Sequence, residues 1–247
     1  MKKKSICWLL ALAICMSFCE SAAAVDENRV SVLRDNEQVR VAQASYGDTT
    51  YVATYDKESE VLTLERVSAS SNIVESKISV DANECVAHNN DVSIFAATDS
   101  RTTSSLFSYT VTYSTPRGWS LKRPSYNGTS TGTYSFACDQ RDSNKADLYA
   151  YQDAVNSLYS AEQTLMAVVG EKAFLTGMTA AFAAVVGGPV GFGAAVSASV
   201  AAVSGSSDIV EYSAAIENYQ SQALRYYEDV RDDWLTTLSI PDAYLVA

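Results

Sequence analysis

Hydrophobic and polar positions alternate one by one through residues 25–141, in short runs rich in Val, Thr, Tyr and Ile. A period of two puts successive side chains on opposite faces of a pleated chain, so the runs 30–34, 39–46, 50–55, 61–67, 73–80, 92–97, 106–114 and 132–138 predict strands. Gly47-Asp48 and Asp56-Lys57-Glu58-Ser59 have the chemistry of the turns between them. No stretch in this half has the period of a crossover helix, so an antiparallel sandwich or irregular barrel is expected.

After Arg141 the period lengthens. Leu148, Tyr151, Val155, Leu158, Glu162, Leu165 and Val169 advance by three or four, which is the spacing of one helix face, and Glu162 is its only charged member. Asn144, with Asp147 three residues on, offers a start for a helix over 144–169. Ile209, Tyr212, Ile216, Tyr219, Ala223, Tyr226, Val230, Trp234 and Leu238 repeat the pattern over 208–238, with Pro241 just past the end.

Between these two helices, 35 consecutive residues from Ala173 to Ser207 carry no charge. Gly187-Gly188-Pro189 near their middle breaks any continuous helix, so two arms over 173–186 and 190–203 are expected to turn there. Ten alanines and five glycines lie between Ala173 and Val203, and the series Ala173, Gly177, Ala181 and Gly193, Ser197, Ala201 allow close helix approach. Each arm would be about 21 Å long, short of the roughly 30 Å hydrocarbon core of a bilayer. The whole reading is an α+β chain in which the β-rich domain of residues 25–141 precedes a long helical hairpin, residues 142–247, with an apolar tip in 173–207.

Residues 1–24 read as a secretory signal peptide: three lysines, an apolar run from Ile6 to Phe18, then Ala22-Ala23-Ala24. Its loss leaves 15 basic against 28 acidic side chains, so the formal charge deepens from −11 to −13. That acidity excludes nucleic acid as a partner, since nothing would neutralise the phosphates. Only Cys85 and Cys138 survive processing, and in an exported chain they suggest one disulfide. The single histidine, His88, and the lack of a phosphate loop, serine elbow or carboxylate pair leave no basis for a metal site, a cofactor or an enzyme.

Two segments carry candidate chemistry. The apolar corner, with Phe174, Met178, Phe182, Val186, Gly187, Gly188, Pro189 and Phe192, is suited to entering a target cell membrane, because the corner of a core hairpin should reach solvent and turn polar. The stretch from Arg117 to Gly128 combines Arg117, Lys122 and Arg123 with Trp119 and Tyr126 and contains no acid, so an exposed loop there could engage an anionic envelope receptor.

The basic leader, the segment Thr49-Thr50-Tyr51-Val52-Ala53-Thr54-Tyr55-Asp56 followed by Val61-Leu62-Thr63-Leu64, and the apolar hairpin together resemble the geobacillin type of large secreted bacteriocin-like proteins. The resemblance implies a secreted antibacterial protein. A looser similarity is to α-helical pore-forming toxins, which hide an apolar hairpin until they meet a membrane. The expected function is insertion of the hairpin into target membranes, as several copies because one short hairpin encloses no channel. The alternative is a non-enzymatic extracellular binding or structural protein whose hairpin stays buried.

Overall fold

The computed structural model describes residues 30–85, 98–128 and 132–238. The leader, His88, the expected strand 92–97 and Pro241 lie outside the described residues. Among the described residues, nine antiparallel strands in two sheets precede four helices, which is the α+β class that the change of period predicts.

The first sheet is a meander of β1 (Ser31–Asp35), β2 (Val39–Tyr46), β3 (Thr49–Asp56), β4 (Val61–Ser68) and β5 (Val74–Asp81). Its turns follow from local side chains: Asn36 Oδ1 accepts from the backbone of Gln38 and Val39, and Asp56 Oδ1 from that of Glu58 and Ser59. Alternation then sends Ala42, Ala44, Tyr51, Ala53, Tyr55, Leu62 and Leu64 inward. The second sheet is β6 (Thr98–Thr102), β7 (Ser108–Thr112), β8 (Gly118–Pro124) and β9 (Thr133–Asp139). Neither β6 nor β8 is legible as a strand from the sequence pattern. In β8 the basic residues mask an inward alternation of Trp119 and Leu121.

The helices are α1 (Lys145–Val169), α2 (Glu171–Ala184), α3 (Phe192–Ser204) and α4 (Val210–Leu238). Gly170, at φ 85°, separates α1 from α2, and Gly191 and Gly205, at φ 80° and 81°, bracket α3; these left-handed conformations suit glycine. Asn144 begins α1 without capping it; its amide oxygen accepts instead from the Arg141 backbone.

Each sheet takes its covering layer from helices, which differs from the sandwich or barrel expected for residues 25–141. The five-stranded sheet lies over α2 and α3, and the four-stranded sheet over the antiparallel pair α1 and α4. One buried cluster runs through both sheets and all four helices. The apolar arms are therefore the centre of the molecule, not a projecting tip. Eleven of the thirteen residues of α3 are buried, because the sheet covers one side and α2 and α4 cover others. A helix buried all round must be apolar all round.

Close approach explains the alanine and glycine. A Cβ on Gly177 would stand 2.4 Å from Val200 Cγ2, and one on Gly193 would stand 2.8 Å from the Ser213 carbonyl oxygen. The second clash is with backbone, which a rotamer change cannot relieve. Gly193→Ala is expected to cost about 1–3 kcal/mol, whereas Val186→Ser at the exposed corner should change stability by less than about 0.5 kcal/mol. Denaturant midpoints at unchanged slope measure both.

Candidate functional site

Beyond Glu171 and Lys172 at its start, the hairpin of α2 and α3 has no charge, yet a helix end presents unpaired backbone groups and a partial charge. Neighbouring elements supply what is missing. At the end of α2, Arg66 of β4 donates to the Ala184 carbonyl at 3.3 Å while ion-paired to Glu75. At the end of α3, Arg40 of β2 donates to the carbonyls of Ala202 and Val203 at 3.3 and 2.9 Å, with Asp35 behind it at 3.0 Å. The start of α3 meets a carboxylate: Glu217 of α4 accepts from the backbone of Gly191 and Gly193 at 3.1 and 2.7 Å. Burial pushes Glu217 above the usual carboxylate range, and the two amide donors oppose that shift. Lys172, just before the uncharged run, pairs with Glu60 at 2.7 Å.

The corner itself is pinned at one side. Gly187 N donates to the Tyr126 carbonyl at 2.9 Å, and Asn127 and Val186 form an antiparallel bridge. Between Ala173 and Ser204, only Val186, Gly187 and Val190 are exposed. Phe174, Met178, Phe182 and Phe192, expected to meet lipid, are core side chains, and Phe182 and Phe192 stack edge-on at 4.7 Å. Pro189 is buried and Gly188 half-buried.

A chain of hydrogen bonds leads from this corner to a buried acid. Tyr126 Oη donates to Gln220 Oε1 at 3.0 Å, and Gln220 Nε2 donates to Ser105 Oγ at 2.7 Å. Ser105 Oγ in turn donates to Glu162 Oε1, whose carboxylate also accepts from the backbone of Ser104 and Ser105 at 2.7 and 2.8 Å. Glu162 is fully buried, and burial outweighs these donors, raising it to about 7. The single acid on the apolar face of α1 was the sequence signal for this network; its serine and glutamine partners gave none.

The basic-aromatic stretch is not an exposed loop. It is β8, and its side chains serve the interior: Trp119 and Tyr126 are buried, and Trp119 Nε1 donates to Gln140 at 3.2 Å. Arg123 pairs with Glu228 at 3.0 Å and lies over the rings of Tyr134 and Tyr227. Arg117 donates to Tyr149 Oη and stacks on Tyr113, while Lys122 is half-buried. The exposed loop expected here is thus corrected to a strand over residues 118–124, which fastens the second sheet to α1 and α4.

The expected disulfide is corrected as well. Cys85 and Cys138 are free thiols on different sheets: Cys85 follows β5 and lies 3.9 Å from Thr179 of α2, whereas Cys138 is buried on β9 opposite Trp119. Burial pushes the Cys138 thiol up to about 11, which makes it a poor nucleophile.

Among the described residues no group of three His, Cys, Asp or Glu side chains is placed to hold a metal ion, and no helix is long and apolar enough to cross a membrane. Comparison with protein families, curated proteins and solved structures finds no match.

Glu162 generates a pH prediction. Its folded value lies near 7 against an ordinary 4.5, so between those values the folded state holds a proton that the unfolded state releases. Its contribution is full below about pH 4.5 and is lost as pH rises through 7. Wild type should lose about 3 kcal/mol more stability than Glu162→Gln between roughly pH 5 and 8, measured by denaturant midpoints. Asp35, Asp56 and Glu60, all shifted downward, lose stability only at lower pH and do not confound that window.

Proposed function

We propose that this is a secreted, membrane-active antibacterial protein of bacteriocin type, which keeps an apolar helical hairpin inside its own fold and delivers it to a target membrane. The observation that carries the reading is the separateness of the hairpin. It lies between positive-φ glycines at 170 and 205, its residues 173–204 carry no charge, and Arg40, Arg66 and Glu217, which satisfy three of its helix ends, belong to other elements. If residues 173–204 leave, those three charges stay behind and the exposed Glu171 and Lys172 at the start of α2 remain at the interface, so no ion enters hydrocarbon, where each would cost several kcal/mol. The secretory leader and the resemblance to geobacillin-type proteins support the extracellular, antibacterial setting.

The arms limit the mode of action. Helices of 14 and 13 residues are about 20 Å long, so one hairpin disturbs a leaflet and several copies are needed for a conducting assembly. The partner is the lipid of the target cell. Recognition of an anionic envelope receptor by residues 117–128 has less support, because Arg123 is paired with Glu228 and Arg117 donates to Tyr149.

A second reading has its own observation. The close Gly177–Val200 packing and the burial of α3 account for the uncharged composition without any membrane, as in a non-enzymatic extracellular binding or structural protein. A reversible tether separates the two. The Asn127–Val186 bridge places opposing Cα atoms about 4.5–5.5 Å apart, within disulfide range. Asn127→Cys with Val186→Cys, in a chain also carrying Cys85→Ser and Cys138→Ala, should abolish dye release from vesicles when oxidised and regain it on reduction. Equal release in both states, or none from wild type with any lipid, overturns the proposal.

A further inference from the structure

The exposed corner of the hairpin has neighbours that the sequence does not place beside it. The β2–β3 and β4–β5 turns lie at the same end of the first sheet and are tied together: Ala69 N donates to the Asp48 carbonyl and Ser70 Oγ to the Asp48 carboxylate, each at 2.8 Å. The hairpin corner reaches the same end. Arg66 and Tyr51, partners across β4 and β3, touch Ala184 and Gly191 on the two sides of the corner. Three segments distant in sequence therefore converge.

Five large apolar side chains stand exposed on them: Tyr46 at 38%, Ile73 at 62%, Val74 at 49%, Val186 at 61% and Val190 at 65%. Scattered exposed apolar residues are ordinary, but of the ten large ones exposed among the described residues five are brought to one end of the first sheet by three separate segments. Asp48 is the only charged residue in segments 46–49, 68–74 and 185–191. A Cβ added at Gly47, Gly187 or Gly188 would meet nothing within 4 Å, so these turn positions face open space.

We infer that Tyr46, Ile73, Val74, Val186 and Val190 form the surface by which the protein first docks on the outer face of a phospholipid bilayer. Exposed aliphatic side chains on segments that hold one carboxylate between them, with the adjacent Arg66 and Glu75 paired to each other at 3.0 Å, suit a soft interface that closes around them, whereas a rigid protein partner would need a matching set of holes. The absence of Lys and Arg from these tips, on a chain of net charge −11, makes the attraction apolar and independent of anionic lipid. The patch is also the one place where the uncharged hairpin reaches solvent, so docking brings the segment to be delivered against the lipid. The inference rests on the membrane-active reading for the identity of its partner.

Flotation of the mature chain with vesicles of phosphatidylcholine alone tests it. Wild type should float, at low salt and at about 0.5 M salt alike. The pairs Ile73→Ser with Val74→Ser, and Val186→Ser with Val190→Ser, should each bind at least about tenfold more weakly, with unchanged circular dichroism and denaturant midpoint. Variants that float like wild type, wild type that binds only anionic vesicles, or a dimer broken by these substitutions in a protein indifferent to vesicles would each overturn the inference. Dye release read in parallel keeps the two proposals apart. Docking lost in the variants but no leakage from wild type leaves the surface and removes hairpin delivery; leakage with undiminished binding by the variants does the reverse.

Discussion

A helix pair without charge in its interior must still have its ends satisfied, and here that need, met from outside at three of the four, organises the surrounding structure. Arg40 and Arg66 reach from the first sheet to the carbonyl ends of α3 and α2, and Glu217 reaches from α4 to the amide end of α3. Each charge lies where the helix dipole favours its sign. These contacts fix how the sheet sits on the hairpin and where α4 crosses it. The crossing in turn leaves no room for a side chain at Gly193, and the inter-arm contact leaves none at Gly177. Composition, packing and electrostatics are thus one constraint seen three ways.

The second sheet is joined to the same centre through polar groups. Glu162, Ser105, Gln220 and Tyr126 form a line from α1 through α4 to the strand end that holds Gly187. A buried carboxylate satisfied by two backbone amides and a hydroxyl costs less than an orphan would, but burial still keeps it above its ordinary titration range. A continuous set of hydrogen bonds thus runs from Glu162 of α1 to Tyr126, whose carbonyl holds Gly187.

Much of the fold was legible because a period of two or of 3.6 is a direct image of burial. Strands β2 to β5, α1 and α4 lie within about two residues of the pattern, since each has one face turned to the core, and α2 and α3 lie within about two residues of the arms that the uncharged run and its Gly-Gly-Pro break predict. The pattern failed where both faces are engaged. In and just before β8, Arg117, Lys122 and Arg123 looked solvent-seeking, but Arg123 spends its charge on Glu228 and two tyrosine rings. The lack of charge over 173–207 was read as a tip because a hairpin corner should meet water. It does meet water, at Val186 and Val190, while the arms behind it are enclosed by a sheet whose placement no local pattern encodes. The cysteines misled for the same reason: pairing depends on which sheet each strand joins. The clamp residues were invisible, since Arg40, Arg66 and Glu217 act across 118 or more residues in the first two cases and 24 in the third.

The central claim is that the hairpin separates as a unit from the elements that cap it. Amide hydrogen exchange resolved by segment, with and without phosphatidylcholine vesicles, tests this most directly. On vesicles the account predicts lost protection in β1 to β5, which are left uncovered, while α1, α4 and β6 to β9 keep the protection they have in solution. The same protection pattern in both conditions, under vesicle concentrations that bind the protein, would show that α2 and α3 never leave the core and would contradict the account.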